Sequence, residues 1–248
     1  MEIWQIIVLT LAGILAGWLN VMAGGGSLLT VPIMLFMGIP APVANGTNRI
    51  AILAQNVTAV TTFRKRGFSD FRLSLSLAGA ASLGALGGAS HGVHLEGEWF
   101  DRILALVMIA VMILMATGHD KVKPVGGETQ AKNLLLGHIL MVGAGFWGGL
   151  IQIGVGFILM PILHRVMGLD LVRVNMHKVF VVLVYTVVAL AVFATQLELL
   201  WWTGAALALG NSIGGWLGAH TTVTRGETLI RRVLFVTLTA FIIKLLFF

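Results

Sequence analysis

The chain contains no cysteine in 248 residues, which excludes disulfides, thiolate metal sites and cysteine nucleophiles at once. Charge is nearly as scarce. Asp, Glu, Lys and Arg make up 10% of the sequence, against about 25% in ordinary globular chains. With 58% hydrophobic residues and a mean hydropathy of +0.96, the chain reads as an all-α polytopic membrane protein and not as a soluble domain. No Asp or Glu falls within the apolar interior of any span. A carboxylate relay, common in cation and proton pumps, therefore has no candidate. No Gly-Lys-Ser/Thr follows any glycine cluster, so a Walker loop is absent and ATP-driven transport by this chain is not expected. No cofactor is called for, and the excess of six positive charges is better explained by basic cytoplasmic loops than by nucleic acid. The stretch Met1-Glu2-Ile3-Trp4 lacks a basic n-region and reads as the start of a first membrane segment, not a removed signal peptide.

Glycine, in contrast, is abundant, with 31 residues against five prolines. Two clusters interrupt long apolar runs: Gly24-Gly25-Gly26-Ser27 ahead of Pro32, and Gly154-Val155-Gly156 ahead of Pro161. Consecutive glycines make poor helix, each costing about 1 kcal/mol relative to alanine. In lipid such a break is tolerated where the freed backbone groups face protein or a water-filled cavity. Close helix packing through small residues is the competing reading.

The two clusters belong to a repeat. Trp18, Gly25 and Pro32 recur 129 residues later as Trp147, Gly154 and Pro161. Asn45 and Asn48 fall opposite Asn175 and Lys178 at an offset of 130, and Gly84, Gly88 and Gly92 match Gly210, Gly214 and Gly218 at 126. Gly97, Glu98 and Arg102 return as Gly226, Glu227 and Arg231. The expected organisation is a first membrane repeat over 1–117, a cytoplasmic linker over 118–131 and a second, inverted repeat over 132–248. Each repeat holds five apolar segments: 3–22, 27–38, 45–63, 71–91 and 98–117, then 133–152, 156–168, 175–196, 199–218 and 228–247. The second of each is too short to cross, since about 12 residues rise only about 18 Å. The count is thus about eight full helices and two short broken or re-entrant ones.

Loop charge sets the orientation. Arg64, Lys65, Arg66 and Arg72 crowd the loop between the third and fourth segments, whereas its counterpart, 195–198, has no positive charge. The following loop reverses the sense, with Glu96, Glu98 and Asp101 set against Arg225, Arg231 and Arg232. With both termini outside, thirteen of the sixteen Lys and Arg residues lie on the cytoplasmic side, as the positive-inside rule favours. The spacing Gly84/Gly88/Gly92 and Gly210/Gly214/Gly218 places glycines on one helix face and assigns these faces to the core of the bundle.

Polar residues inside hydrocarbon are costly and are functional suspects. They gather around the breaks and at the starts of the third segments: Asn20, Ser27, Asn45, Thr47, Asn48, Arg49, Gln55 and Asn56, then Gln152, Asn175, His177, Lys178, Tyr185, Asn211 and Ser212. The charged members, Arg49 and Lys178, are both cations. Amides, hydroxyls and glycine backbones beside helix N-termini complete a site suited to a small anion. Snorkelling of the two cations to opposite interfaces is the alternative. His138 and His177 are placed to couple a proton to transport, or else to sit at an interface. An activated serine needs a base in reach, and Ser27 has no counterpart in the second copy, where Gly156 takes its place, so an enzyme is not expected. Oligomerisation of identical copies is left open.

At these residues the chain resembles the sulfite exporter TauE/SafE family. The likeness lies in Gly13-x-x-x-Gly17, Gly24-Gly25-Gly26-Ser27-Leu28-Leu29-x-Val31-Pro32, Gly38-x-Pro40 and Ala44-x-Gly46-Thr47. In the second half it lies in Gly145-x-x-Gly148-Gly149, Gly154-x-Gly156 and Pro161. Two places depart from the family pattern: Asn48 stands where a Ser is frequent, and Asn175-Met176-His177-Lys178 is a looser form of its counterpart. The resemblance implies a permease of the bacterial inner membrane for small sulfur-containing or organic anions such as sulfite and sulfonates. The expected substrate contacts are Gly24, Gly25, Gly26, Ser27, Asn45, Thr47, Asn48 and Arg49 from the first half. Gln152, Gly154, Gly156, Asn175, His177 and Lys178 complete them from the second. An anion channel and a non-transporting membrane scaffold or insertase are the rival readings.

Overall fold

A computed structural model describes residues 3–95, 97, 99, 102, 106 and 131–247. The expected fifth segment, 98–117, and the linker, 118–131, lie outside the described residues apart from Trp99, Arg102, Leu106 and Ala131.

The elements are all helical. In order they are α1 (Ile3–Met22), α2 (Ser27–Phe36), α3 (Ala41–Lys65), α4 (Phe71–Gly92), α5 (Leu134–Leu150), α6 (Val155–Pro161), α7 (Leu171–Gln196) and α8 (Trp201–Phe247). A π-helical turn, Ile162–Val166, extends α6. Among the described residues, α1, α4 and α7 are each long and apolar enough to cross a membrane. On the outer faces of α1 and α5, Ile7, Leu11, Leu15, Leu135 and Ile139 are exposed, as lipid-facing side chains are.

Both third segments begin a turn earlier than the sequence suggests. Pro40, Ala41 and Pro42 start α3, because proline is preset for the first helical turn. Asp170 starts α7 by accepting hydrogen bonds from the backbone N–H of Val172 and Arg173, each at 3.0 Å. Arg49 and Lys178 therefore do not open their helices but sit two turns inside them. They are also 0% and 2% exposed, which removes the snorkelling alternative.

A second difference concerns the C-terminal segments. Two separate spans were expected over 199–218 and 228–247, yet Trp201–Phe247 forms one continuous helix of 47 residues. No proline interrupts it. A lone Gly226 costs about 1 kcal/mol relative to alanine, too little to end a helix by itself.

The two halves interleave. α1 packs along α8, and α4 along α5, so the first helix of each half lies on the fourth of the other. The glycine rows make this contact. A methyl group on Gly84, Gly88 or Gly92 would overlap the carbonyl of Val142, Phe146 or Leu150 in α5. A methyl on Gly210 or Gly214 would overlap that of Thr10 or Ile14 in α1. In both pairs the contacts advance together along the two sequences, so the paired helices run parallel. α3 then lies on α8, with the Thr58 hydroxyl donating to the Ser212 carbonyl at 3.2 Å, and α7 lies on α4. The glycine faces are thus core packing surfaces, and they leave α3 and α7 to carry the polar residues.

Candidate functional site

The α1–α2 and α5–α6 junctions are the two breaks, and they meet. An added methyl on Gly24 would overlap the Cα of Gly156, and one on Gly156 would overlap the Cα of Gly24. Gly24 has a φ of +91°, so an alanine there would be both strained and obstructed. In the second break Gly154 has a φ of +71° and Gln152 one of +67°. A left-handed glutamine is uncommon and marks a backbone held by its surroundings. Every residue over 21–28 and 151–157 is buried, so the meeting point is closed off from both ends.

A helix that stops inside a protein leaves its last carbonyls without partners. At the end of α5 the groups concerned are Gly148, Gly149 and Leu150. The Arg49 guanidinium donates to the Gly148 carbonyl at 2.9 Å and also to the Gly149 carbonyl. The Asn45 amide donates to the Leu150 carbonyl at 2.8 Å. At the end of α1 the same task falls to α7. Lys178 Nζ donates to the Val21 carbonyl at 2.8 Å, and Asn175 Nδ2 to the Met22 carbonyl at 3.5 Å. Each interrupted helix is therefore closed by an asparagine and a cation from the third helix of the other half. A cation is favoured there, because a helix C-terminus carries about half a negative charge.

Within each pair the asparagine oxygen faces its cation. Lys178 Nζ to Asn175 Oδ1 is 2.8 Å, and Arg49 to Asn45 Oδ1 is 3.4 Å. Arg49 also lies 3.4 Å from Gln152 Oε1 and stacks over the Phe193 ring at 4.5 Å. Among the described residues, every hydrogen-bond partner of the two cations is a neutral oxygen. Two basic side chains thus stand in the closed centre of the molecule, and among the described residues no carboxylate hydrogen-bonds to either.

The other expected site residues divide. Ser27 and Asn48 tie α2 to α3: Asn48 Nδ2 donates to Ser27 Oγ at 3.1 Å, and Thr30 Oγ1 donates to Asn48 Oδ1 at 2.8 Å. Gly25 and Gly26 give room to the Phe157 ring and to the Ala16 carbonyl. Asn20 donates to Gln55 at 3.2 Å, joining α1 to α3. Thr47 and His177 are engaged elsewhere. The Thr47 hydroxyl accepts from the Leu200 N–H at 3.2 Å, at the start of α8. His177 Nδ1 lies 2.8 Å from Ser74 Oγ of α4. It also lines a cavity of about 830 Å³ with Asp70, Arg72, Leu134 and Arg173. His138 lies against Ser76 at 3.1 Å on an exposed face. Phe193 and Tyr185 are neighbours of the centre that were not among the expected substrate contacts, although Tyr185 stood among the buried polar suspects. Tyr185 is the chain's one tyrosine and lies seven residues, hence on the same helix face, beyond Lys178. That spacing was the available signal.

Paired interrupted helices, buried polar groups and lipid-facing apolar surfaces define a membrane-embedded protein built around an internal polar centre. The sulfite exporter TauE/SafE profile matches residues 9–245. The chain belongs to the sulfite exporter TauE/SafE family. It is 26% identical over 242 residues to the probable membrane transporter protein ORF9 of Sinorhizobium sp, covering 96% of this chain and 91% of the relative. A probable membrane transporter protein of Haemophilus influenzae is 25% identical over 224 residues, covering 90% and 88%. The probable membrane transporter protein YfcA of Escherichia coli K12 is 23% identical over 247 residues, covering 97% and 89%. No solved structure matches the chain.

Proposed function

We propose that this protein is a secondary transporter of small anions, with sulfite and sulfonates as the first candidates, working by alternating access between two inverted repeats in a bacterial inner membrane. The observation that carries the reading is the pair of buried basic residues, Arg49 and Lys178, whose hydrogen-bond partners among the described residues are carbonyl and amide oxygens. Burying an ion without a counter-ion costs several kcal/mol, and an entering anion offsets that cost. The relatives' description as probable membrane transporters and the family's name support the same reading.

The chemistry proposed for the centre follows from the polar groups around it. Arg49 and Lys178 supply charge, and Asn45, Asn175 and Gln152 supply amides. The left-handed turns at Gly24 and Gly154 let the backbone turn at each break without a side chain in the way. Because each cation sits on one half and caps a helix of the other, drawing an anion between them biases the relative position of the halves. That is what an alternating-access carrier needs: a ligand whose interaction differs between two arrangements.

Purified protein in proteoliposomes tests the reading. Saturable uptake of radiolabelled sulfite, accelerated by unlabelled sulfite or a sulfonate on the opposite side, is the expected result. Conductance far above carrier turnover would instead make the protein a channel. Absence of anion flux with sulfite, sulfonates, thiosulfate and small carboxylates would leave the scaffold reading.

A further inference from the structure

The two cations are equivalent in role but not in how fully they are used. Lys178 Nζ has two acceptors at 2.8 Å, and Asn175 donates to Met22. On the other side, Arg49 Nε is buried without a hydrogen-bond partner among the described residues, and so is the hydroxyl of Tyr185. These two groups are neighbours. The Tyr185 ring packs on Gly148, whose carbonyl accepts from Arg49, and the hydroxyl interacts with the Arg49 charge and with the Gln152 side chain. Ser82, Thr186 and Asn211 also leave a buried oxygen unpaired, yet none of them is matched with a guanidinium N–H.

An unpaired buried donor costs about 1–3 kcal/mol. A guanidinium Nε can only donate, so its partner has to be an acceptor. Tyr185 adds a hydroxyl free to turn toward that same acceptor. The face of the guanidinium is covered by Phe193 and its two terminal nitrogens are already bound, which leaves Nε as the donor still to be met. Tyr185 stands two helical turns, about 10 Å, beyond Lys178 along α7 and packs on the glycine whose carbonyl Arg49 binds.

We propose that the binding site is asymmetric: the oxyanion of the substrate docks on the Arg49 side, held by Arg49 Nε and the Tyr185 hydroxyl, while Lys178 remains the cap of α1. The ligand class is a small oxyanion with two or more acceptor oxygens on one centre, such as sulfite or the head group of a sulfonate. This rests on the anion-transport reading and adds to it a specificity residue, Tyr185.

The test uses the full chain in detergent and in proteoliposomes, with sodium sulfite and methanesulfonate as probes. Tyr185→Phe removes the hydroxyl and keeps the ring that packs on Gly148. Its melting temperature without anion is expected to stay the same or rise. Its sulfite-induced rise in melting temperature is expected to vanish, and its KM for counterflow to increase about tenfold. Thr186→Val, which removes the adjacent unpaired hydroxyl, should keep wild-type values in all three measurements. If wild-type protein binds and carries the probes and Tyr185→Phe matches it, the asymmetric site is wrong while the transporter stands. A lower anion-free melting temperature for Tyr185→Phe would make the hydroxyl a packing partner and also overturn the proposal. If wild-type protein neither binds nor carries either probe or a small carboxylate, both readings fall together.

Discussion

Gly24 and Gly156 touch backbone to backbone, so that neither Cα leaves room for a methyl group on the other. This contact joins the two helix breaks and lies where the two halves of the chain cross. Its consequence is a strict size limit. Gly24→Ala adds a left-handed alanine, costing about 1–2 kcal/mol, to an overlap with backbone that cannot rotate away. The variant should lose at least about 2 kcal/mol of stability in a detergent melt. Gly79→Ala and Gly143→Ala, at helical glycines with open space around them, should be neutral or stabilise by about 0.5–1 kcal/mol. Equal melting temperatures for all three would show that the breaks do not meet.

The asparagine–cation pairs make a separable prediction about charge. Arg49→Met and Lys178→Met each remove a buried ion whose partners are neutral oxygens. Each replacement removes the desolvation cost of the ion but orphans the helix-end carbonyls it caps, so stability should fall by about 1–3 kcal/mol. Anion flux should fall by at least about tenfold in Arg49→Met, the factor that corresponds to losing one charge-assisted hydrogen bond, and by less in Lys178→Met, where the cap of α1 is lost. Asn45→Ala and Asn175→Ala should lower stability by about 1 kcal/mol, as loss of a helix-terminal hydrogen bond does. Flux and melting measured on the same preparations check both halves of the statement. Undiminished flux in Arg49→Met and Lys178→Met would remove both cations from the substrate path.

How far the sequence could be read depended on whether a feature was local or distant. The breaks were legible because Gly24-Gly25-Gly26 and Gly154-Val155-Gly156 act on their own backbone. The glycine faces were legible because Gly84, Gly88 and Gly92 share a side of one helix by spacing alone. Thr47 was not, since its role depends on the N–H of Leu200, 153 residues away, and no local pattern encodes that distance. The same holds for Phe193 over Arg49 and for the Tyr185 hydroxyl. The continuity of the helix at 201–247 was not legible for a different reason: basic residues at Arg225, Arg231 and Arg232 signal a membrane interface but do not break a helix.

Thr47 and His177 offer a test of what lies outside the centre. Thr47→Val deletes the hydroxyl that accepts from Leu200 and should cost about 1 kcal/mol, with anion KM unchanged. His177→Gln paired with Ser74→Ala dissolves the α4–α7 contact at 2.8 Å and should behave likewise. A large rise in KM for either, measured by counterflow, would draw that residue into the substrate site.

The long C-terminal helix makes the last prediction. As one straight rod of 47 residues it is about 70 Å long, more than twice the roughly 30 Å hydrocarbon core. Its distal part, 233–248, is almost wholly apolar and has no reason to extend into water. Near the middle stands Arg225-Gly226-Glu227, where charge belongs at an interface and glycine tolerates a bend. In a bilayer the helix should therefore fold back at this point, returning the C-terminus to the side from which α8 entered. Because the chain has no cysteine, single cysteines report position directly. A cysteine at Ser69 should react with an impermeant maleimide only from the cytoplasmic face. Cysteines at Thr195 and after Phe248 should react only from outside. Labelling of the C-terminal cysteine from the cytoplasmic face alone would mean that the rod does not turn back, and the two-pass ending would have to be abandoned.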